Sequence, residues 1–269
     1  ASRHDTSISQ QSVVIMSDKK DQSTVKNLGF GYHDVDCHVR YEYKDGAWSN
    51  GEEISEPFVT LHIMSGIFHY GQSLFEGFKA FKTRDGRVLV FKADSCRKRM
   101  ADGCHRLAIP EIPKEMFHSA IDRLIKRNAH HVPPFGSGGA LYIRPFVFAT
   151  GRQLVLDPSP TYIFIVLASP VGDYYKDGVT MIKGGVVEDF DRAAPFGVGA
   201  AKAAGNYAAD MLPAKEGKAK GFPILLYLDP IQHKFVEEFS TSNFIAIDKN
   251  GVYVTPKSQS ILPSNTNAA

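Results

Sequence analysis

Two stretches near the start of the chain alternate apolar and polar residues on either side of an Asp-Gly pair. Residues 38–49, HVRYEYKDGAWS, alternate around Lys44-Asp45-Gly46, and residues 78–92, FKAFKTRDGRVLVFK, alternate around Asp85-Gly86. A period of two is typical of strands, and Asp-Gly is a favoured sequence for a tight hairpin turn. The pattern therefore predicts two β-hairpins.

Two later stretches have the helical period instead. In residues 94–110, DSCRKRMADGCHRLAIP, apolar side chains recur every fourth position at Cys96, Met100 and Cys104, and Asp94 or Ser95 is a suitable N-cap. Residues 114–132, KEMFHSAIDRLIKRNAHHV, carry one continuous apolar face. We expect an amphipathic helix in each.

Longer apolar runs predict buried strands in residues 140–150, 161–170 and 223–229. Residues 234–256 read as two or three short strands with a turn at Asn250-Gly251. Alternating strands and helices favour an α/β (α+β) fold in two layered parts.

Composition suggests how these parts are divided. Residues 1–27 are polar and serine-rich, which predicts a mobile N-terminal arm. A stretch with Pro, Gly and polar residues follows the apolar run 161–170, and residues 171–178 are the predicted linker. The remaining segments are a smaller α/β domain at 28–170 and a second domain at 179–269.

Charge and cysteine content exclude several classes of protein. The 269 residues are 43% hydrophobic and 22% charged with a net charge of +2, so no nucleic-acid partner is expected. Three cysteines without CxxC spacing favour reduced thiols, and no apolar run is long enough to predict a membrane span. We expect a cytoplasmic or organellar (mitochondrial or plastid) protein that is not secreted. His62 and His69 lack metal-ligand spacing, so no metal site is expected.

One charged residue stands among small ones in residues 195–210, PFGVGAAKAAGNYAAD. A partly desolvated lysine among small residues can approach a planar ligand and act as a nucleophile. The alternative is an ordinary solvated Lys202 on an alanine-rich helix. A phosphate-binding glycine loop is excluded, because neither the dinucleotide nor the P-loop glycine pattern is complete.

The neighbours of Lys202 favour the ligand-binding interpretation. Tyr207 follows it closely, and the acidic pair Glu237-Glu238 lies on a predicted strand that ends in Ser-Thr-Ser-Asn. A lysine, a tyrosine, a strand carboxylate and a distant arginine are the groups that hold pyridoxal phosphate.

Five motifs carry a resemblance to a known family: HYGQSLFEGFKAF, LYIRPF, GVGAAKAAGNYAAD, VEEFSTSNF and SQSILPS. In order and spacing they are similar to the branched-chain amino acid aminotransferases of pyridoxal-phosphate fold type IV, over about residues 28 to 264. The resemblance implies a two-domain fold with a smaller N-terminal α/β domain and a larger cofactor-binding domain. It also implies transamination of leucine, isoleucine and valine with 2-oxoglutarate by a homodimer.

The resemblance assigns cofactor roles residue by residue. Lys202 matches the Schiff-base lysine that moves the substrate proton, and Tyr207 matches the phenol at the cofactor 3′-oxygen. Glu238 matches the partner of the pyridine nitrogen, with Glu237 facing outward, and Arg99 rather than Arg97 matches the phosphate arginine. The other matched cofactor positions are Thr241, Asn265 and Thr266.

Substrate roles follow in the same way. Tyr142 and Arg144 match residues near the α-carboxylate and share one side of a strand. Phe30, Tyr70 and Phe75 match the aromatic wall around the aliphatic side chain, with Tyr70 acting across the dimer interface.

The chain departs from the family pattern in its last residues, ILPSNTNAA. Asn265 stands where an aliphatic residue is usual and Asn267 where arginine is usual. We therefore expect the larger domain to be truncated, either because the chain given is incomplete or because it ends here and binds cofactor weakly. The alternatives left open are a non-catalytic scaffold or assembly subunit, a D-amino-acid transaminase and an aminodeoxychorismate lyase.

Overall fold

The computed structural model describes residues 12–13, 28–172 and 181–266. Its helices are α1 (Gly66–Tyr70), α2 (Ala93–Arg106), α3 (Lys114–Arg127), α4 (Ala204–Ala209) and α5 (Met211–Ala219). The first nine strands are β1 (Ser12–Val13), β2 (His38–Lys44), β3 (Ala47–Trp48), β4 (Glu52–Ile54), β5 (Ser73–Phe75), β6 (Phe78–Lys82), β7 (Val88–Val90), β8 (Ala140–Ala149) and β9 (Tyr162–Val171). The later strands are β10 (Gly184–Val187), β11 (Ile224–Leu228), β12 (Val236–Phe239), β13 (Ala246–Ile247) and β14 (Tyr253–Val254).

The first nine strands form one antiparallel sheet. Its order is β1-β7-β6-β8-β9-β2-β3, with β4 paired to β2 and β5 paired to β8. The two ten-residue strands β8 and β9 pair along their whole length, from Ala140 opposite Val171 to Ala149 opposite Tyr162. The long apolar runs at these positions therefore form the buried centre of the sheet, as predicted.

Both predicted hairpins are confirmed. The chain turns between β2 and β3 at Asp45 and Gly46, which have φ of 53° and 84°. Two successive positive φ values are typical of the mirror-image turn that suits the twist of a hairpin. The β6–β7 hairpin turns at Gly86, whose φ is 86°.

The two predicted helices are also present, but one cap prediction is wrong. Helix α2 begins at Ala93 with Lys92 at the N-cap position, so Asp94 and Ser95 lie inside its first turn. The Asp94 carboxylate instead accepts from Arg97 Nε at 3.0 Å. The helix therefore starts two to three positions earlier than its capping residues indicated.

Helices α2 and α3 cover one face of the sheet. Helix α3 contacts β9 and β2, and α2 contacts β5. On β9 the side chains alternate: Phe164 and Val166 join the main core under these helices, whereas Ile163 and Ile165 join a second cluster on the opposite face. The sheet is thus covered on both faces. The buried residues of these helices are Cys96, Met100, Gly103 and Cys104 of α2 and Phe117, Ala120, Ile121, Leu124 and Ile125 of α3.

A second, smaller sheet follows in the chain. Strand β10 pairs parallel with β11, and β11 pairs antiparallel with β12. Strands β13 and β14 form a separate hairpin, and Gly251 in its turn has a φ of 79°. This arrangement confirms the short strands and the Asn250-Gly251 turn predicted for residues 234–256.

Two predicted segments, the arm 1–27 and the linker 171–178, lie only partly within the described residues. In the predicted mobile arm 1–27, Ser12–Val13 form an edge strand on β7, and the other residues of this arm lie outside the described part of the chain. Of the predicted linker 171–178, Val171 belongs to β9 and residues 173–178 lie outside the described part of the chain.

Candidate active site

A cavity of about 400 Å³ opens where β6, α2 and β8 meet β12 and the segment before α4. All seven residues that the sequence predicted for cofactor binding line it: Arg99, Lys202, Tyr207, Glu238, Thr241, Asn265 and Thr266. The fold therefore brings together positions that are up to 167 residues apart, from Arg99 to Thr266.

The small residues around Lys202 let its backbone pack tightly. Ala201 and Ala203 are both buried in the main core, and a Cβ added to Gly199 would lie 1.9 Å from the carbonyl oxygen of Ser260. The Phe75 N–H donates to the Lys202 carbonyl at 3.2 Å, which ties this segment to β5. Lys202 precedes α4 and is half-buried, so it is not a solvated lysine on a helix surface.

The amine of Lys202 is held between two aromatic rings. Its Nζ donates to the Tyr207 hydroxyl at 2.9 Å and lies 4.8 Å from the centre of the Phe75 ring. The rings of Phe75 and Tyr207 are themselves 5.0 Å apart. These contacts direct the amine into the cavity and place a phenol beside it.

Glu238 supplies a buried carboxylate on the other side of the cavity. It is 2% exposed, and Arg192 Nη1 lies 2.6 Å from its Oε1. Burial raises the pKa of this carboxyl to about 7, although the charge of Arg192 and the Leu262 N–H both oppose the rise. Near neutral pH the group can hold or release a proton.

Its neighbour Glu237 faces the other way, as strand alternation requires, but it is not solvated. Glu237 is 6% exposed, and its carboxylate accepts from Ser258 Oγ at 2.6 Å and Ser260 Oγ at 2.9 Å. Glu237 therefore faces away from the cavity but is covered rather than open to solvent, because the segment after β14 folds over this side of β12.

Arg99 is fixed by a two-pronged ion pair. Its Nε and Nη2 donate to the two carboxylate oxygens of Glu76 at 2.6 and 2.7 Å, and its Nη1 donates to the Pro263 carbonyl at 2.7 Å. A guanidinium has five N–H groups, so donors remain for an anion in the cavity. Arg97 is paired with Asp94 instead.

The last described residues form one wall of the cavity. Asn265 Nδ2 donates to Cys96 Sγ at 3.4 Å, and Thr266 and Thr241 are exposed at the rim. Burial raises the pKa of the Cys96 thiol to about 12, so this cysteine is a neutral packing group rather than a nucleophile.

Three of the predicted substrate residues gather around Tyr142, which also lines the cavity. Arg144 Nε and Nη2 donate to the Tyr142 hydroxyl at 3.4 and 3.3 Å, so the two side chains share one side of β8 as predicted. The Phe30 ring packs edge-on against Tyr142 at 5.3 Å, and Arg144 Cζ lies 5.1 Å from the centre of the Phe75 ring.

Tyr70 lies apart from this group. Its hydroxyl donates to the carbonyl of Leu154, away from Tyr142. Of the five predicted substrate residues, only Tyr142 is among the described residues that line the cavity. Its proposed action across a dimer interface stays a prediction.

Sequence reasoning missed three residues of this site. Glu76 is an acidic residue in an apolar stretch, and this pattern could have indicated a buried residue with a charged partner. In the structure Glu76 is 0% exposed. Gly77 allows the Tyr142 hydroxyl to approach, since a Cβ at Gly77 would lie 2.1 Å from it. Arg192 stands in the ordinary polar run EDFDR, and no local pattern marks it.

Cys37, Cys96 and Cys104 are all buried and free, which confirms the prediction of reduced thiols. Within the described ranges, none of the helices has both the length and the hydropathy to cross a bilayer.

The family model for amino-transferase class IV matches residues 73–269. The chain belongs to the class IV aminotransferases. Among these aminotransferases it is 42% identical over 244 residues to a branched-chain-amino-acid aminotransferase of Helicobacter pylori, an alignment that covers 90% of this chain and 71% of the relative.

Solved structures of aminotransferases have the same fold. The chain aligns with the branched-chain amino acid aminotransferase of Escherichia coli with a TM-score of 0.68 and 27% identity, over 86% of this chain and 71% of that one. The branched-chain amino acid aminotransferase from Thermobaculum terrenum, solved in its PLP form, aligns with a TM-score of 0.67 and 20% identity, over 86% and 70% of the two chains. The second likeness concerns the fold alone.

Proposed function

We propose that this chain is a pyridoxal-phosphate-dependent aminotransferase that moves the amino group between branched-chain L-amino acids and 2-oxoglutarate. The observation that carries the proposal is the convergence of Lys202, Tyr207, Glu238 and Arg99 on one cavity. The close relationship to an enzyme named for branched-chain amino acids supports the substrate class.

The residues of the cavity fit this cofactor. The buried Glu238 can bind a ring nitrogen, and Arg99 with Thr241, Asn265 and Thr266 offers donors for a phosphate. When bound, pyridoxal phosphate supplies an electron sink for the charge left at the substrate Cα. The cavity volume of about 400 Å³ lies in the range of small-molecule sites.

Lys202 has two tasks in this scheme. Its amine would hold the cofactor through the aldehyde carbon. Once released, it would take the proton from the substrate Cα as a general base and deliver it to the cofactor C4′ as a general acid. Tyr207 keeps the amine in place through the 2.9 Å hydrogen bond. Glu238, whose pKa is raised to about 7 by burial, could share a proton with a ring nitrogen placed beside it.

The substrate is recognised by the group around Tyr142. Arg144 and the Tyr142 hydroxyl can bind the α-carboxylate, and Phe30 and Phe75 provide an apolar wall for the side chain. Such a wall accepts leucine, isoleucine and valine with little discrimination, since one methylene is worth about 1–3 kcal/mol. We further propose a homodimer in which Tyr70 completes this wall across the interface.

The cavity also agrees with the proposed division of the chain. One part of its lining comes from residues 77–142 and the other from residues 192–266. We infer that the cofactor lies between a smaller domain at 28–170 and a larger one at 179–269, because binding sites commonly form where two domains meet.

The test is to load the protein with pyridoxal phosphate, trap the adduct with borohydride and map the labelled peptide. Lys79 and Lys92 also line the cavity and act as internal controls. We expect the label on Lys202, its loss in Lys202→Ala and its retention in Lys79→Ala. A label on another lysine contradicts the assignment.

Activity then separates the possible reactions. We expect amino transfer from leucine to 2-oxoglutarate that is abolished in Lys202→Ala. Activity with D-alanine or aminodeoxychorismate instead of leucine would favour the other enzymes of this fold. A protein that takes up no cofactor would favour a scaffold.

A further inference from the structure

Three potential metal ligands meet on the surface near the end of α3, among residues with no role in the proposed function. His130 Nε2 and His131 Nε2 lie 3.3 and 3.0 Å from the same oxygen, Oδ1 of Asp36. The three ligand atoms are all within 4.8 Å of one another. Two imidazoles and one carboxylate thus face a common point.

The buried side-chain amide of Asn128 holds this arrangement together. Asn128 is 0% exposed, and its Oδ1 accepts from the Asp36 N–H at 2.8 Å while its Nδ2 donates to the Cys37 carbonyl at 3.1 Å. The His131 N–H donates to the Asn128 carbonyl at 2.9 Å. The loop that carries the carboxylate is therefore fastened to the turn that carries both imidazoles.

The distances suit a metal ion. Ligand atoms about 2.0–2.1 Å from a zinc ion stand about 3.3–3.4 Å apart in tetrahedral geometry, and about 3.0 Å apart at neighbouring octahedral positions. The observed 3.0 and 3.3 Å lie in this range. All three side chains are partly exposed, so water can complete the coordination.

We propose that Asp36, His130 and His131 bind one divalent transition-metal ion, with Zn²⁺ the natural occupant. Imidazole favours Zn²⁺, Ni²⁺ and Cu²⁺, whereas Mg²⁺ and Ca²⁺ prefer sites made of oxygen ligands alone. The competing explanation is that both histidines only hydrogen-bond the carboxylate. This site is separate from the cavity around Lys202 and does not depend on the proposed function.

The surface offers a matched control. His233 Nε2 lies 3.3 Å from Asp191 Oδ1, the same kind of pair at the same distance and with similar exposure. This pair is not part of a three-ligand group in the described ranges of the chain. If a single His–Asp contact explains the geometry, mutation at either of the two His–Asp pairs should have the same effect on metal binding.

The experiment is calorimetric titration of Zn²⁺ into the full, chelator-treated chain. We expect one equivalent to bind, and Asp36→Asn, His130→Ala and His131→Ala each to weaken it at least about tenfold, because even changes to outer-shell groups cost about 10- to 100-fold. His233→Ala should bind as the unmodified chain does. Circular dichroism of each variant checks that it is folded.

A second readout identifies the ligands. Co²⁺ bound by nitrogen and oxygen should give a visible spectrum without a thiolate charge-transfer band, which distinguishes this site from binding at a cysteine. Absence of binding, equal affinity in the His130→Ala/His131→Ala double variant, or a thiolate band would each overturn the proposal.

Discussion

Replacing Glu76 by glutamine removes the negative half of a buried ion pair while keeping the size of the side chain. The Glu76 side chain is 1% exposed and that of its partner Arg99 is 11% exposed. Glutamine has one acceptor oxygen, and its NH₂ group would face an N–H of Arg99, so one of the two short hydrogen bonds is lost with the charge.

The magnitude follows from this burial. Opposite unit charges about 4 Å apart attract by about 4 kcal/mol at an effective dielectric constant of about 20. Removing one partner of a buried pair leaves the other charge uncompensated and costs about 3–5 kcal/mol. We expect Glu76→Gln to lower the free energy of unfolding by this amount, a large part of the roughly 5–15 kcal/mol of a typical domain.

The assay is urea unfolding without added cofactor, with Glu53→Gln as the matched control. Glu53 is also paired with arginine, to Arg123 Nε at 3.2 Å and Arg127 Nε at 3.1 Å, but its side chain is 32% exposed. Exposed pairs contribute about 0–1 kcal/mol. The reasoning is refuted if Glu76→Gln loses no more stability than Glu53→Gln.

Three further predictions use other parts of the site. Because burial raises the pKa of Glu238 from 4.5 to about 7, the folded state binds its proton more tightly, and stability should fall by roughly 3 kcal/mol as the pH rises through this interval. Urea unfolding should show this slope reduced in Glu238→Gln; an unchanged slope contradicts it. Gly77→Ala should displace the Tyr142 hydroxyl and raise the KM for leucine about tenfold, corresponding to about 1.4 kcal/mol, with a smaller change in kcat; an unchanged KM would count against this role. Gly199→Ala should destabilise the chain by about 1–3 kcal/mol in thermal unfolding, because its Cβ would meet a backbone carbonyl. Gly205→Ala is its control, since an added Cβ there meets nothing within 4 Å, and equal losses in the two variants would refute the packing argument.

Local pattern predicted most of the first sheet and its helices. The period-two runs became the hairpins β2–β3 and β6–β7, and the long apolar runs became β8 and β9. The recurrence of Cys96, Met100 and Cys104 at every fourth position became the buried face of α2. These elements follow from the sequence because burial of one face depends on the spacing of residues along the chain. The start of α2 does not, since its N-cap lies at Lys92 rather than at the better capping residues nearby.

The same distinction applies to the site, where the sequence predicts some of the residues and only the tertiary structure reveals the others. The sequence by itself predicted that Lys202, Tyr207 and Glu238 serve one chemistry, because their types and order resemble a known set of roles, and all three line one cavity. Only the tertiary structure decided that Glu76 fixes Arg99, that Arg192 faces Glu238, and that Asp36 meets two histidines more than 90 positions away. Pairings of this kind depend on how strands and helices pack against each other, so the local spacing of residues along the chain does not predict them.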